Sequence, residues 1–179
     1  FEPKGEYHPF DGDGMLHSAH FENGRLVLRN KWVRTDAWQH EDATQGAEYW
    51  GIRQTLKGRE DQPIKDSANT DVIGHAGAAL TTWYLAGVPY AVDPITLETL
   101  GPRYNYLDKP DSGMSAHCKV DEVTGELMYF DYGDHWPYMW YGVADAQGEI
   151  THRVPIELPG NRLPHDMAIT EHYSILHDH

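Results

Sequence analysis

The sequence is short of cysteine, of positive charge and of long apolar runs, and each shortage excludes something. One cysteine in 179 residues, Cys118, cannot form an internal disulfide. That usage suits a reducing compartment, so the expected location is cytoplasmic. Lys and Arg number 14 against 28 Asp and Glu, a formal charge of −14. Phosphate contacts need a basic face, so nucleic acid is excluded as a partner. The same charge opposes anionic lipid surfaces, although an apolar patch still permits membrane contact. No apolar run is long enough for a membrane-spanning helix. The N-terminus lacks the apolar stretch of a secretory signal. Helical patterning is scarce as well: only roughly 35–47 reads as a helix, with Asp36 as its cap. The chain opens on Phe1 without a Met and closes at His179 straight after a strand-like run. Those ends predict a piece of something longer.

What is present is a foldable composition, 40% hydrophobic and 12% aromatic. Such a chain can bury a core and is not disordered. Its pattern is short strands broken by turns. Residues 15–21 and 25–33 pair through Glu22-Asn23-Gly24, where Asn and Gly both tolerate the positive φ of a tight hairpin. Further pairs are 78–85 with 90–92, 115–120 with 126–132, and 139–144 with 149–155. A single last strand is expected over 166–176. Asp93-Pro94, Gly101-Pro102, Lys109-Pro110 and Leu158-Pro159-Gly160 are breakers, and 58–67 reads as a polar loop. No linker or low-complexity tract divides the chain, so 1–179 is a single unit. Repeated antiparallel hairpins indicate an all-β sandwich, barrel or propeller. Of these, a propeller is the one in which an incomplete chain still looks like this.

Histidine is abundant, with 12 in the chain, and serves proton transfer or metal binding near neutral pH. His8, His40, His135 and His152 read as surface residues. His17 and His20, three apart on one strand, fall on opposite faces and cannot chelate together. His75, between Gly74 and Ala76-Gly77, reads as a structural hydrogen-bonder. His117 and His165 differ: each follows a loop and opens a strand. In a radial β architecture strand starts converge on one end of the axis, where residues 48 apart can meet. Spacing alone favours two unrelated loop histidines.

Other motifs fail. Phe10-Asp11-Gly12-Asp13-Gly14 lacks the acid and glycine that a calcium loop needs further on, where Met15 and Leu16 stand, and reads as a tight turn. No HExxH, GxSxG or P-loop occurs. Cys118 has no orienting third group and reads as a packed free thiol. Asp166 either fixes the tautomer of His165 or caps a turn.

Several segments taken in order resemble the carotenoid cleavage oxygenases, including the lignostilbene dioxygenase branch. They are His8-Pro9-Phe10-Asp11-Gly12-Asp13-Gly14-Met15-Leu16-His17, Arg29-Asn30-Lys31-Trp32-Val33-Arg34-Thr35 and Asn69-Thr70-Asp71-Val72. His75-Ala76-Gly77, Gly87-Val88-Pro89-Tyr90 and Asp93-Pro94-Ile95-Thr96-Leu97-Glu98-Thr99 follow. SAHCKVDEVTGEL (115–127) and PHDMAIT (164–170) complete the series. The likeness spans nearly the whole chain but only the first third to half of such an enzyme.

The resemblance implies a seven-bladed β-propeller, of which this chain forms about two to three blades. It implies Fe(II) on the axis, held by four histidines, two of which map onto His117 and His165. His172, His177 and His179 do not match the other two. It implies oxidative cleavage of a C=C bond by O2 in an apolar carotenoid, apocarotenoid or stilbene-type substrate, giving two carbonyl products. Phe10, Trp50 and Thr70 map onto the substrate tunnel. Ordinary packing for Phe10 and Trp50 and a strand-end hydrogen bond for Thr70 explain them equally well. The chain departs from the family where an acidic residue or a substrate-anchoring Lys commonly stands. Trp83, Tyr84 and Leu85 occupy that place, so Tyr84 can offer a substrate a hydrogen bond but no charge. Cys118 replaces the usual Pro after the first ligand.

The leading expectation is thus a segment of an iron(II) dioxygenase, inactive as an isolated 179-residue piece. One rival is a non-catalytic β-rich binding module that keeps only the family scaffold, which the neutral Tyr84 region favours. Another is a metal hydrolase, for which no spaced motif exists. An incomplete ring would also leave an unpaired strand edge, with the net acidity keeping it soluble.

Overall fold

A computed structural model describes residues 1–53, 64–109 and 112–178. The Asn23-Gly24 turn forms as expected, with both residues at positive φ, 49° and 73°. It joins β1 (Met15–Glu22) to β2 (Arg25–Trp32) in an antiparallel hairpin. The helix α1 (Asp36–Thr44) follows. Its cap is Thr35 rather than the expected Asp36, because the Thr35 hydroxyl accepts the Trp38 N–H at 3.1 Å. Asp36 lies in the first turn, where a carboxylate favours the helix dipole.

Two four-stranded antiparallel sheets come next. The first runs in the order β3 (Asp71–His75), β4 (Ala78–Thr82), β5 (Tyr90–Val92), β6 (Thr99–Pro102). The second runs β7 (Lys119–Val120), β8 (Leu127–Tyr132), β9 (Tyr138–Ala144), β10 (Ile150–Glu157). A final hairpin pairs β11 (Met167–Ile169) with β12 (Ser174–Leu176). The expected single last strand is therefore two. The Thr170 hydroxyl takes the Tyr173 N–H and turns the chain back. The strand expected from residue 115 starts only at Lys119, because His117 adopts φ 61°, outside the extended region. The strand expected to reach residue 85 ends at Thr82, where Trp83 to Ala86 form a turn.

The first strands of these units share one side. β3 packs against β7, and β7 against β11. Successive small sheets arranged by their first strands around a common line are propeller blades. The main core lies between the two four-stranded sheets. It contains Leu80 and Ala91 from one, Leu127, Tyr129 and Ala144 from the other, and Tyr106, Met114 and Cys118 from the connections. Gly142 lets the Tyr129 ring lie directly on the β9 backbone; a Cβ there would sit 2.2 Å from it. A second cluster, Val33, Ala68, Tyr90, Val92 and Leu97, lies on the first sheet.

His75 joins the two sheets, as a buried hydrogen-bonder should. Its Nε2 donates to the Gly125 carbonyl at 2.9 Å, which leaves Nδ1 to accept from the Tyr106 hydroxyl at 2.7 Å. The expected loop at 58–67 lies outside the described residues over 58–63. Beyond it, Ile64 bridges to Trp50 and Lys65 is buried. Pro110 and His179 also lie outside them. Among the described residues no helix is long and apolar enough to cross a membrane.

Candidate metal and substrate site

The structure brings His117 and His165 together. They lie in the loops that lead into β7 and β11, and their ring centroids are 5.0 Å apart. His117 holds a left-handed backbone, φ 61°. Such a conformation costs a non-glycine residue on the order of 1–3 kcal/mol and persists only where its surroundings impose it. Two contacts to His117 hold it here, and a third anchors one of them. The His117 Nδ1 meets Asp71 Oδ2 at 2.8 Å. The His117 carbonyl accepts from Lys119 Nζ at 2.8 Å. The same ammonium donates to Asp166 Oδ1 at 2.7 Å, so Lys119 braces the two histidine-bearing loops to each other.

Asp166 therefore serves Lys119 and its neighbour's N–H, that of Met167. Burial opposes its charge, but the Lys119 hydrogen bond and the Met167 N–H outweigh burial and hold the carboxyl below its ordinary value. The carboxylate on an imidazole is instead Asp71, at the start of β3.

Both imidazoles line a cleft of about 360 Å3 with Pro9, Phe10, Asn69, Thr70 and Tyr84. Phe10, Thr70 and Tyr84 thus lie beside the two histidines. Trp50 is not among the lining residues; its backbone bridges Lys4 and Ile64. His172 and His177 do not line the cleft either.

The Phe10 loop is a short 3-10 turn, Pro9–Asp11, held from both ends. Asp11 Oδ2 accepts the His8 N–H at 2.7 Å, and His8 Nδ1 accepts the Phe10 N–H at 3.1 Å. Asp11 Oδ1 also takes the Ile52 N–H. Asn69 Nδ2 donates to the Phe10 and Gly12 carbonyls. The acidic turn is therefore a structural clasp.

Tyr84 is pinned through its backbone. Its N–H donates to Thr70 Oγ1 at 3.1 Å, and its carbonyl accepts from Ser115 Oγ and the Tyr132 hydroxyl. Its ring stacks on His165, with centroids 6.3 Å apart at 25°, and meets Phe10 edge-on. Burial, and then the Asp11 carboxylate, raises its phenol above the ordinary value of 10. It therefore stays protonated at neutral pH and can donate.

Cys118 beside His117 is no nucleophile. It is buried, its Sγ donates to the Ser115 carbonyl at 3.1 Å, and burial pushes the thiol up to about 12.

Two imidazoles, one with Nδ1 committed to a carboxylate, are a donor set that suits a divalent transition metal. Among the described residues no group of three or more His, Cys, Asp or Glu could hold an ion. The described chain thus supplies a two-histidine set. Sequence reasoning missed Asp71 and Asn69 as parts of the site, although both stand in the recognised segment 69–72.

A family model described as retinal pigment epithelial membrane protein matches residues 1–179. The chain is 35% identical to isoeugenol monooxygenase of Pseudomonas nitroreducens, over 95% of this chain and 37% of that protein. It is 33% identical to carotenoid 9,10(9',10')-cleavage dioxygenase of Crocus sativus, over 99% of this chain and 36% of that protein. The crystal structure of Pseudomonas brassicacearum lignostilbene dioxygenase superposes with a TM-score of 0.80 at 32% identity, over 93% of this chain and 35% of that one. The chain thus spans about a third of the length of these proteins. With a family model matching its whole length and hairpins arranged as propeller blades, the chain belongs to the retinal pigment epithelial membrane protein family.

Proposed function

We propose that this chain is part of an iron(II)-dependent dioxygenase that cleaves a C=C bond of a stilbene-type, carotenoid or apocarotenoid substrate. The overall change joins one O2 to one C=C bond and gives two carbonyl products. The observation that carries the reading is the pair His117 and His165, 5.0 Å apart at the start of adjacent blades, opening on a cleft walled by Phe10 and Tyr84.

His117 and His165 would hold the metal, with further donors contributed from outside these 179 residues. Neutral imidazoles suit Fe(II) and leave its charge intact. When bound, iron(II) supplies the O2 activation that an unactivated C=C bond lacks. The chain's own residues do the rest. Phe10, Pro9 and Tyr84 offer an apolar surface on which a conjugated substrate can lie. The Tyr84 hydroxyl donates to an oxygen at the substrate's end and so sets which bond faces the histidines. Thr70 is held by the Tyr84 N–H and by Asn69 Oδ1, and keeps the cleft wall in place.

Iron content and cleavage of stilbenes and apocarotenoids by the full-length protein test this reading. Stoichiometric iron and aldehyde products are expected, with His117→Ala and His165→Ala each losing bound iron. Full iron in either variant overturns the ligand assignment. Tight binding of an apolar ligand without metal or turnover overturns the enzymatic reading in favour of a binding module. The 179-residue chain alone is expected to bind iron loosely and to be inactive.

A further inference from the structure

We infer that Asp71 is a positioning residue that holds the proton of His117 on Nδ1 and leaves Nε2 as the only lone-pair nitrogen of that ring. This rests on the ligand reading above for its consequence, but not for its geometry. The carboxylate comes from the first residue of β3, in the blade before the one that His117 leads into. Its Oδ2 lies 2.8 Å from His117 Nδ1, while its Oδ1 accepts the Val72 N–H at 2.8 Å. An ionised carboxylate can only accept, so Nδ1 must be the donor. A free neutral imidazole chooses between two tautomers, and here the choice is made by the neighbouring blade.

The two histidines are consequently held by different means. His117 is fixed by a carboxylate on one side and by Lys119 through its own carbonyl. His165 is fixed by ring contacts, with Tyr84 on one side and His117 on the other. Asp71 can orient only the first. A carboxylate behind a ligand imidazole also makes it a stronger donor, and removal of such a partner typically weakens a metal site by about 10–100-fold.

The test uses histidine-labelled, metal-free full-length protein, with the His117 ring nitrogens assigned by their loss in His117→Gln. Nitrogen NMR distinguishes the protonated from the bare ring nitrogen. In the wild type the proton is expected on Nδ1. Asp71→Ala should release it, giving a mixture or the Nε2–H form. Asp71→Asn, whose amide can accept from Nδ1–H but can also turn to donate, should restore Nδ1–H only in part. A His117 ring that keeps Nδ1–H in Asp71→Ala overturns the inference, whether or not the protein is an iron enzyme. Cobalt(II) titration of the same proteins reads the consequence: Asp71→Ala should bind about 10–100-fold more weakly, with Asp71→Asn between it and the wild type. An affinity unchanged in Asp71→Ala overturns the positioning role. A wild type that binds no metal, yet shows the tautomer change, confirms the Asp71 contact and refutes the ligand reading instead.

Discussion

Lys65 Nζ donates to Glu41 Oε2 at 2.5 Å, and both side chains are withdrawn from solvent. The same ammonium reaches Asp13 at 2.8 Å, so one buried cation faces two carboxylates. Through it the helix α1 is tied to the acidic turn that supports Phe10. Lys65→Met leaves the buried Glu41 carboxylate without its counter-charge, which typically costs about 3–5 kcal/mol. Urea unfolding should show that loss; a variant within about 1 kcal/mol of wild type would mean the carboxylates find other partners. Burial opposes the Glu41 charge, but Lys65 and the Glu48 N–H overcome it and keep the carboxyl below its usual 4.5. Its contribution to stability is therefore complete above that value and is lost as the pH falls through the lower folded-state value.

Asp66 works in the opposite sense. It accepts the Ala68 and Val88 N–H groups, yet burial pushes its carboxyl up to about 6 from 3.8. The folded chain then holds that proton more tightly than the unfolded chain. The resulting stability is present in full below 3.8 and declines as the pH rises through about 6, by about 3 kcal/mol. Asp131, also raised to about 6 by burial, adds to the same slope. Unfolding free energy measured across this range should fall with pH in the wild type and fall less in Asp66→Asn. An equal slope in the two proteins would remove Asp66 as its source.

Tyr106→Phe tests the joint between blades. It deletes the hydroxyl that donates to His75 Nδ1 and leaves a buried acceptor unpaired. About 1–3 kcal/mol should be lost in chemical denaturation. A neutral outcome would show that the imidazole turns to another donor.

Lys119→Met tests the brace between the histidine loops. The side chain is about one-third exposed, so folding should survive. Cobalt(II) affinity of the full-length protein should drop by about 10-fold, the lower end for loss of a group that supports ligands. Unchanged affinity would show that the loops hold their spacing without it.

The parts of this molecule that were legible in the sequence are those made locally. Asn23-Gly24 forces a hairpin from two residues, and the turns at Val123-Thr124-Gly125 and Ala146-Gln147-Gly148 act in the same way. β3 and β6 escaped notice because their stabilisation is not local. β3 carries Gly74 and polar ends, and β6 contains the breaker Gly101-Pro102, tolerated there because the strand is at a sheet edge. Thr35 and Asp36 are both good caps by composition, and only the backbone geometry separates them. The histidine pair came from a matching segment order, since 48 residues of separation carry no signal of contact. Asp71 lies 46 residues before its partner His117. No spacing rule joins them, and only the packing of β3 on β7 does.

That packing has a mechanical meaning. β3 is fastened to the next blade at its first residue by Asp71 on His117 and at its last by His75 on Gly125. Five residues of strand, about 13 Å, thus form a strut with a joint at each end. The angle between the two blades cannot open at one joint without loading the other. A disturbance at the Gly125 turn, on the side remote from the cleft, would therefore be felt as a shift of the His117 imidazole.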